Sequence, residues 1–243
     1  MLLLGIDLET DGLDPKENAI LEVGAVLYDW DTKTPVRMLS EFIDPDYNQN
    51  LSAGYKVPVE ITELTGITTK MIEEYGGLDV DVMRSLKNLA DGSDFFVGHN
   101  CNAFDALFLG TMWERLSMNF QQPFLDIIVD IKYPPLIKTR NLRHLAAEHG
   151  FLNPFPHRAV FDVLTMFKVM EKQDLNDIIA RSREPMVYLQ ALVSFDEKEK
   201  AKERGYRWYG PSKIWWKGLK FSDAVVEAVE CGFNTRQLER APE

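Results

Sequence analysis

Asp7 and Glu9 stand in the stretch Leu2–Leu13, LLLGIDLETDGL, where an apolar run passes straight into two carboxylates. The composition and length of that run read as a buried central strand. Side chains alternate across a strand, so Asp7 and Glu9 point to one face. Two carboxylates side by side at the end of a buried strand repel each other and resist desolvation. A divalent cation between them removes both penalties, and oxygen ligands of this kind suit Mg²⁺ or Mn²⁺. A pair that merely ends a strand and faces water has the same local sequence. The chemistry therefore turns on what else in the chain joins it.

Three further positions do so. Asp105 falls in the first turn of a helix expected over 102–116, where the helix dipole favours a carboxylate. It follows GHNCNAF, a polar loop leaving a short apolar strand over 94–98, and α/β sheets place ligand sites at such strand ends. Asp162 sits in the middle of an expected helix over 158–171 that is apolar almost all round, hence buried. A buried carboxylate needs a partner. Arg158, four residues earlier, is the structural alternative to a metal. His157 stands five residues before Asp162. Five positions on a helix would separate the two by ~140°, so His157 belongs to the preceding loop, free to reach the same site. An isolated histidine beside Pro154 and Pro156 would otherwise be plain surface.

The elements that must position these groups follow from the same reading. Strands are expected over 19–30 and 36–43, forming with the first an antiparallel meander at one side of a sheet. Residues 46–80 read as loop-rich, with short helical pieces at 59–64 and 69–75. Helices follow at 83–90 and 142–149, and 124–131 reads as a strand or the lead-in to a helix. Early strands and later interleaved helices give an α/β or α+β layered fold.

The chain has 243 residues, 45% apolar and 27% charged, enough for one domain and a smaller appendage. No run is long enough to span a membrane, and Leu2–Leu4 is too short for a signal peptide. Two cysteines imply no disulfide framework, so a cytoplasmic location is expected. The net charge of −11 argues against a non-specific nucleic-acid binder. It is unevenly placed: residues 181–243 hold 12 Lys/Arg and 10 Asp/Glu, a balance of +2, leaving −13 for residues 1–180.

Asp7-Leu8-Glu9-Thr10 with Gly12-Leu13, then His99-Asn100 and Phe104-Asp105, then His157-x4-Asp162, resemble in order the three motifs of the DEDDh 3′–5′ exonuclease family. That family includes the proofreading epsilon subunit of bacterial DNA polymerase III. Leu64–Thr68 and Asn141-Leu142 resemble its intervening segments, and the likeness covers roughly residues 2–172. Arg158 stands where the sister subfamily has Tyr, which indicates the histidine variant. One departure is visible. Asn100 and Asp105 are five apart, where the proofreading-subunit pattern commonly has four. It bears on Asn100 and Phe104 rather than on the carboxylates.

The resemblance implies a ribonuclease H-like central mixed sheet flanked by helices over residues 1–175. It implies a metal-dependent 3′–5′ exonuclease releasing nucleoside 5′-monophosphates from the 3′ end of DNA, expected to be single-stranded. Asp7, Glu9, Asp105 and Asp162 would hold two Mg²⁺, replaceable by Mn²⁺, with His157 as general base. Thr10, Leu13, His99, Asn100 and Phe104 are the candidates for holding the terminal nucleotide, although Leu13 and Phe104 serve equally well as core residues. An exoribonuclease of the same family is the alternative enzyme. A non-catalytic nucleic-acid-binding or proofreading accessory subunit is the alternative outside enzymes. A polymerase or other DNA-processing protein is the expected protein partner.

Residues 173–184 have the composition of a linker. After it, a small α+β module is expected over 185–243, with a strand at 186–193, a charged helix at 196–204 and strands at 206–209 and 214–217. Its text FDEKEKAKERGYRWYGPSKIWWK resembles a small module found in bacterial and phage DNA-processing proteins. Tyr206, Trp208, Tyr209, Trp215 and Trp216 interleave with Arg207, Lys213 and Lys217. Such a set can stack and steer single strands, or pack the core of a tiny domain. Alternation assigns Tyr206 and Trp208 to a buried face, and Arg207 and Tyr209 to an exposed one.

Overall fold

The computed structural model describes residues 1–45, 54–134, 136–137 and 139–242. The loop-rich reading of 46–53 lies outside the described residues. The chain divides into two compact units, Met1–Ile178 and Ile179–Glu243.

The first unit is built on a six-stranded mixed sheet. Its strands are β1 (Leu2–Thr10), β2 (Ile20–Asp29), β3 (Thr34–Ile43), β4 (Gly76–Gly77), β5 (Phe95–Gly98) and β6 (Phe124–Asp126), in the order β4-β3-β2-β1-β5-β6. Pairing of β1 with β2 and of β2 with β3 is antiparallel, which gives the expected meander. The pairings β1–β5, β5–β6 and β3–β4 are parallel. β1 is thus central, and Leu3, Leu4, Ile6 and Leu8 are all buried. Each such side chain contributes about 1.5–3 kcal/mol, which holds the strand, and its two carboxylates, in place.

The helices of this unit are α1 (Val59–Thr65), α2 (Thr69–Tyr75), α3 (Asp79–Ala90), α4 (Asp105–Arg115), α5 (Leu142–Glu148) and α6 (Ala159–Met170). The Thr68 side chain caps α2 and the Asn141 side chain caps α5. The first core gathers Leu4, Ile6 and Leu8 with Val82, Met83 and Leu86 of α3 and Phe108, Leu109 and Met112 of α4. On α6, Phe167 stacks on Tyr28 of β2 with ring centroids 4.2 Å apart. α6 comes close to β2 because residue 24 is glycine: a Cβ there would lie 2.3 Å from the backbone of Ala159 and Val160.

Several local expectations are corrected. The helix expected from residue 102 begins at Asp105, after a 3₁₀ turn at Cys101–Ala103. The linker-like stretch contains a helix, α7 (Leu175–Ser182), because Leu175 and Ile178 find burial on one side. Its polar residues occupy the other face, which is what a short surface helix looks like in composition.

The second unit has a four-stranded sheet, with β7 (Met186–Leu192), β8 (Arg207–Tyr209), β9 (Ile214–Lys220) and β10 (Asn234–Leu238) in the order β10-β7-β9-β8. Two helices, α8 (Lys198–Glu203) and α9 (Phe221–Glu230), complete it. Val187, Leu189 and Ala191 of β7 form its core with Ala201, Tyr206 and Ala224. Tyr206 is buried as expected but precedes β8, whereas Trp208 is 52% exposed, against expectation. β8 is an edge strand, and the core is filled from β7 and the helices, so Trp208 has little to pack under. No helix of the described residues is long and apolar enough to cross a membrane.

Candidate active site

Three of the expected acids meet at one end of β1. Asp7 and Glu9 project from the strand, and Asp162 from the first turn of α6. One carboxylate oxygen from each lies within 4.8 Å of the others. The close seat of α6 on Gly24 sets this convergence, since it brings the N-terminal turn of the helix down on the sheet.

Asp105, the first residue of α4, is 2% exposed, and its Oδ1 accepts the Leu8 N–H of β1 at 3.0 Å. It stands outside the group of three but adds to the charge felt by Asp7. Burial, then Asp105, Glu9 and Asp162, push the Asp7 carboxyl well above the usual carboxylate range. Burial first, then Asp162 and Glu22, raise Glu9 to about 8. Burial raises Asp105 to about 7 against two backbone N–H donors. These carboxylates resist ionising together, as acids do when no cation balances them.

The basic residue nearest in sequence serves another acid. Both Arg158 Nε and Nη2 donate to Glu22 of β2, the latter at 3.0 Å, and the Ala159 N–H donates to the same carboxylate at 3.3 Å. The Arg158–Asp162 ion pair offered by the sequence is therefore not formed. Asp162 is held instead by neutral donors: Asn153 Nδ2 at 3.0 Å on Oδ1 and the His157 backbone N–H at 2.7 Å on Oδ2. Its charge thus stays directed at Asp7 and Glu9. An all-oxygen, net-anionic, largely buried set of this kind fits a hard divalent cation.

His157 lies in the loop before α6, with φ of 63°. The left-handed backbone is fixed by the bond its own N–H makes to Asp162. The imidazole is half-buried, and burial first, then Arg143, lower its pKa against the pull of Asp162. It is neutral at pH 7 and able to accept a proton.

The loop after β5 takes up the extra residue between Asn100 and Asp105. Asn100 is left-handed (φ 66°), and the 3₁₀ turn follows. Asp126, buried on β6, clamps this loop by accepting the N–H groups of Asn100 at 3.0 Å and Asn102 at 3.2 Å. Among the expected substrate contacts, Thr10 is buried and its hydroxyl donates to the Gly12 carbonyl at 2.6 Å. Leu13 is 83% exposed, which removes its reading as core. Phe104 packs partly against the main core and Phe108. His99 is half-buried, with Nε2 2.6 Å from the Arg140 carbonyl oxygen.

Glu22, Asn153, Asp126 and Gly24 were not anticipated. Glu22 carried a signal, a single acid inside the apolar strand ILEVGAVLYD. Asn153 and Asp126 carried none, because their bonds join segments distant in sequence.

A family model described as an exonuclease (RNase_T) matches residues 4–170. A DNA polymerase III PolC-type from Clostridium perfringens is 29% identical over 182 residues, 71% of this chain and 12% of that protein. The chain therefore spans only a small part of the PolC-type relatives. A DNA polymerase III subunit epsilon from Treponema pallidum is 30% identical over 168 residues, 64% of this chain and 68% of the subunit. A zinc-bound complex of Escherichia coli exonuclease I with single-stranded DNA superimposes with a TM-score of 0.61 at 15% identity, over 88% of this chain and 50% of that one. The nuclease domain of 3′hExo, a DEDDh family member bound to rAMP, gives 0.55 at 15% identity, over 70% and 90%. The fold is the ribonuclease H-like one of these nucleases. With the match extending over well more than half of its length, the chain belongs to the exonuclease family, a divalent-metal-dependent family, and residues 4–170 are its exonuclease domain.

Proposed function

We propose that this chain removes nucleotides from the 3′ end of single-stranded DNA as nucleoside 5′-monophosphates, in a divalent-metal-dependent hydrolysis. The observation that carries the reading is the convergence of Asp7, Glu9 and Asp162 beside His157, with Asp105 bonded to the neighbouring backbone. Polymerase III relatives favour DNA over RNA and make a polymerase a candidate partner. The exonuclease I complex supports a single-stranded substrate.

Asp7, Glu9, Asp105 and Asp162 would hold two Mg²⁺, with Mn²⁺ able to replace them. When bound, such ions supply a water of lowered pKa and neutralise charge on the scissile phosphate and the departing 3′-oxygen. The chain's own part is to place and move a proton. His157, neutral at pH 7, accepts the proton of the attacking water at an imidazole nitrogen. Asp162 anchors the His157 backbone through the 2.7 Å bond, so metal ligand and base are positioned as one piece. Thr10, Leu13, His99, Asn100 and Phe104 surround the terminal nucleotide, and exposed Leu13 is suited to pack on its base.

The test uses end-labelled single-stranded DNA, duplex DNA and RNA, each with Mg²⁺ or EDTA, with products resolved by size. Mononucleotides released stepwise from the 3′ end of single-stranded DNA, only with Mg²⁺, are expected. Preferential degradation of RNA would move the substrate to the exoribonuclease reading. Absence of release from all three would leave a non-catalytic binding subunit.

A further inference from the structure

We propose that the face of the C-terminal sheet opposite α8 and α9 is a platform for single-stranded nucleic acid, a second binding site besides the carboxylate cluster. The two faces of this sheet differ sharply. Val187, Leu189 and Ala191 of β7 point to one side, where Ala201 of α8 and Ala224 of α9 join them in the core. Tyr188 and Gln190 alternate to the other side. Strand register places Trp216 opposite Gln190 and Gly218 opposite Tyr188. It also places Arg207 opposite Trp216, and Arg236 opposite Gln190. Tyr188 and Trp216 are neighbours, with ring centroids 6.0 Å apart and planes at 57°.

Residue 218 is glycine, and a Cβ there would come within 3.2 Å of the Tyr188 ring. The ring therefore lies down on the strand backbone and is left with one face for a ligand. Arg236 donates to Gln190 Oε1 at 2.7 and 3.2 Å, a neutral acceptor that orients the guanidinium without cancelling its charge. Arg207 and Arg236 are both exposed. None of the residues that register assigns to this face, in any of the four strands, is acidic.

Rings flanked by uncancelled guanidinium groups match the chemistry of a single strand. Bases stack on aromatic faces whatever their identity, and phosphates pair with the cations. A duplex hides its base faces and would leave the rings unused. The acid-free register is the charge complementarity that selects a polyanion as occupant. The face occurs in a unit that is net positive by two charges over 181–243, while the rest of the chain carries −13.

The experiment measures anisotropy of a labelled oligothymidylate of about 20 nucleotides with the full chain in EDTA, so that no hydrolysis intervenes. The double variant Arg207→Glu with Arg236→Glu should bind about tenfold or more weakly. Its log–log salt dependence should be shallower by about 1.4, two single-strand phosphate contacts. Trp216→Ala should lose about five- to a hundredfold, and Trp216→Phe should retain most of the affinity. Where Trp216→Ala fails to fold, the charge variants, made at exposed positions, decide. Wild-type affinity and salt slope in the double variant would overturn the proposal, as they would if the face served a protein partner instead. Failure of the exonuclease reading shows separately, as absence of mononucleotide release with Mg²⁺, and leaves these binding measurements standing.

Discussion

Buried acids in the two units are balanced in opposite ways. In the C-terminal unit Glu227 is 8% exposed, yet its pKa is lowered. Burial alone would raise it, but Arg204 donates to both of its oxygens at 2.9 Å and Lys217 approaches to 3.6 Å. Around β1, Asp105 is buried and Asp7 and Glu9 are half-buried, and all three are raised. The nearby guanidinium of Arg158 is committed to Glu22. A buried acid matched to a cation is part of the architecture. Buried acids left facing one another cost stability, and a fold keeps that cost where a ligand of opposite charge relieves it.

The comparison is broken most directly by the same isosteric change in both places. Asp7→Asn or Asp162→Asn should reduce nucleotide release to background at saturating Mg²⁺, and each should raise Tm in EDTA. Glu227→Gln should leave turnover on a trinucleotide unchanged and destabilise the C-terminal unit by about 1–3 kcal/mol, the cost of a weakened buried partner. Calorimetry on the three variants checks the signs. A lower Tm for Asp7→Asn in EDTA, or a higher one for Glu227→Gln, ends the contrast.

Next in size is the loss of the base. His157→Ala should slow hydrolysis by about 10²–10⁴ with little change in metal affinity, because the imidazole is not among the carboxylate donors. The lowered pKa puts the acid limb of the wild-type rate profile below the ordinary imidazole range. In His157→Ala that limb should vanish, and raising pH should recover part of the rate as hydroxide becomes available. Normal turnover of the variant at pH 7 would return His157 to plain surface.

A smaller effect concerns stability without metal. The raised Asp7 and Glu9 mean that the folded chain holds protons the unfolded chain has already lost. Stability in EDTA should therefore fall as pH rises from the ordinary carboxylate range, about 4, to about 8, the value reached by Glu9. Mg²⁺ should raise Tm, and more at pH 8 than at pH 5, because its ligands must be deprotonated. A kilocalorie corresponds to about 2–4 °C for a chain of this size, so the slope is measurable by scanning fluorimetry. A Tm in EDTA that does not change between pH 5 and 8 would show the cluster to be already compensated.

What could be read before the structure follows the same division. β1 and its acids were legible because apolar residues flank them on one continuous strand, and periodicity reports such burial directly. Asp162 was legible because it breaks an apolar helix pattern, and Asp105 because it follows a polar loop that leaves a short apolar strand. Glu22, Asn153 and Asp126 act through bonds between distant segments, which no local pattern encodes. In the C-terminal unit α9 and β10 went unread for a physical reason. α9 buries Ala224 and Glu227 while exposing Val225, Val226 and Val229, so its valines point away from the core. β10, NTRQL, has no apolar alternation at all.

The same inversion governs the smallest expected effect, at Trp208. Size and strand alternation put it in the core with Tyr206, and its loss would then unfold the unit. In the structure Tyr206 is 3% exposed and meets Phe233 edge-on at 5.5 Å, in the cluster of Val187, Leu189, Ala191, Ala201 and Ala224. Trp208 is 52% exposed on edge strand β8 and touches Trp215 at 5.5 Å with planes at 53°. Removing a buried ring forfeits its burial and leaves a cavity, about 3–5 kcal/mol. Removing a half-exposed ring that can be replaced by water forfeits mainly one aromatic contact, about 0.5–1.5 kcal/mol. Tyr206→Ala should therefore unfold the C-terminal unit at ordinary temperature, while Trp208→Ala stays folded with Tm lowered by a few degrees. Near-UV circular dichroism, dominated by the clustered tryptophans, distinguishes loss of packing from loss of one chromophore. Equal unfolding by the two variants would mean that Trp208 packs as the sequence alone suggests, and that the core of this unit extends under β8.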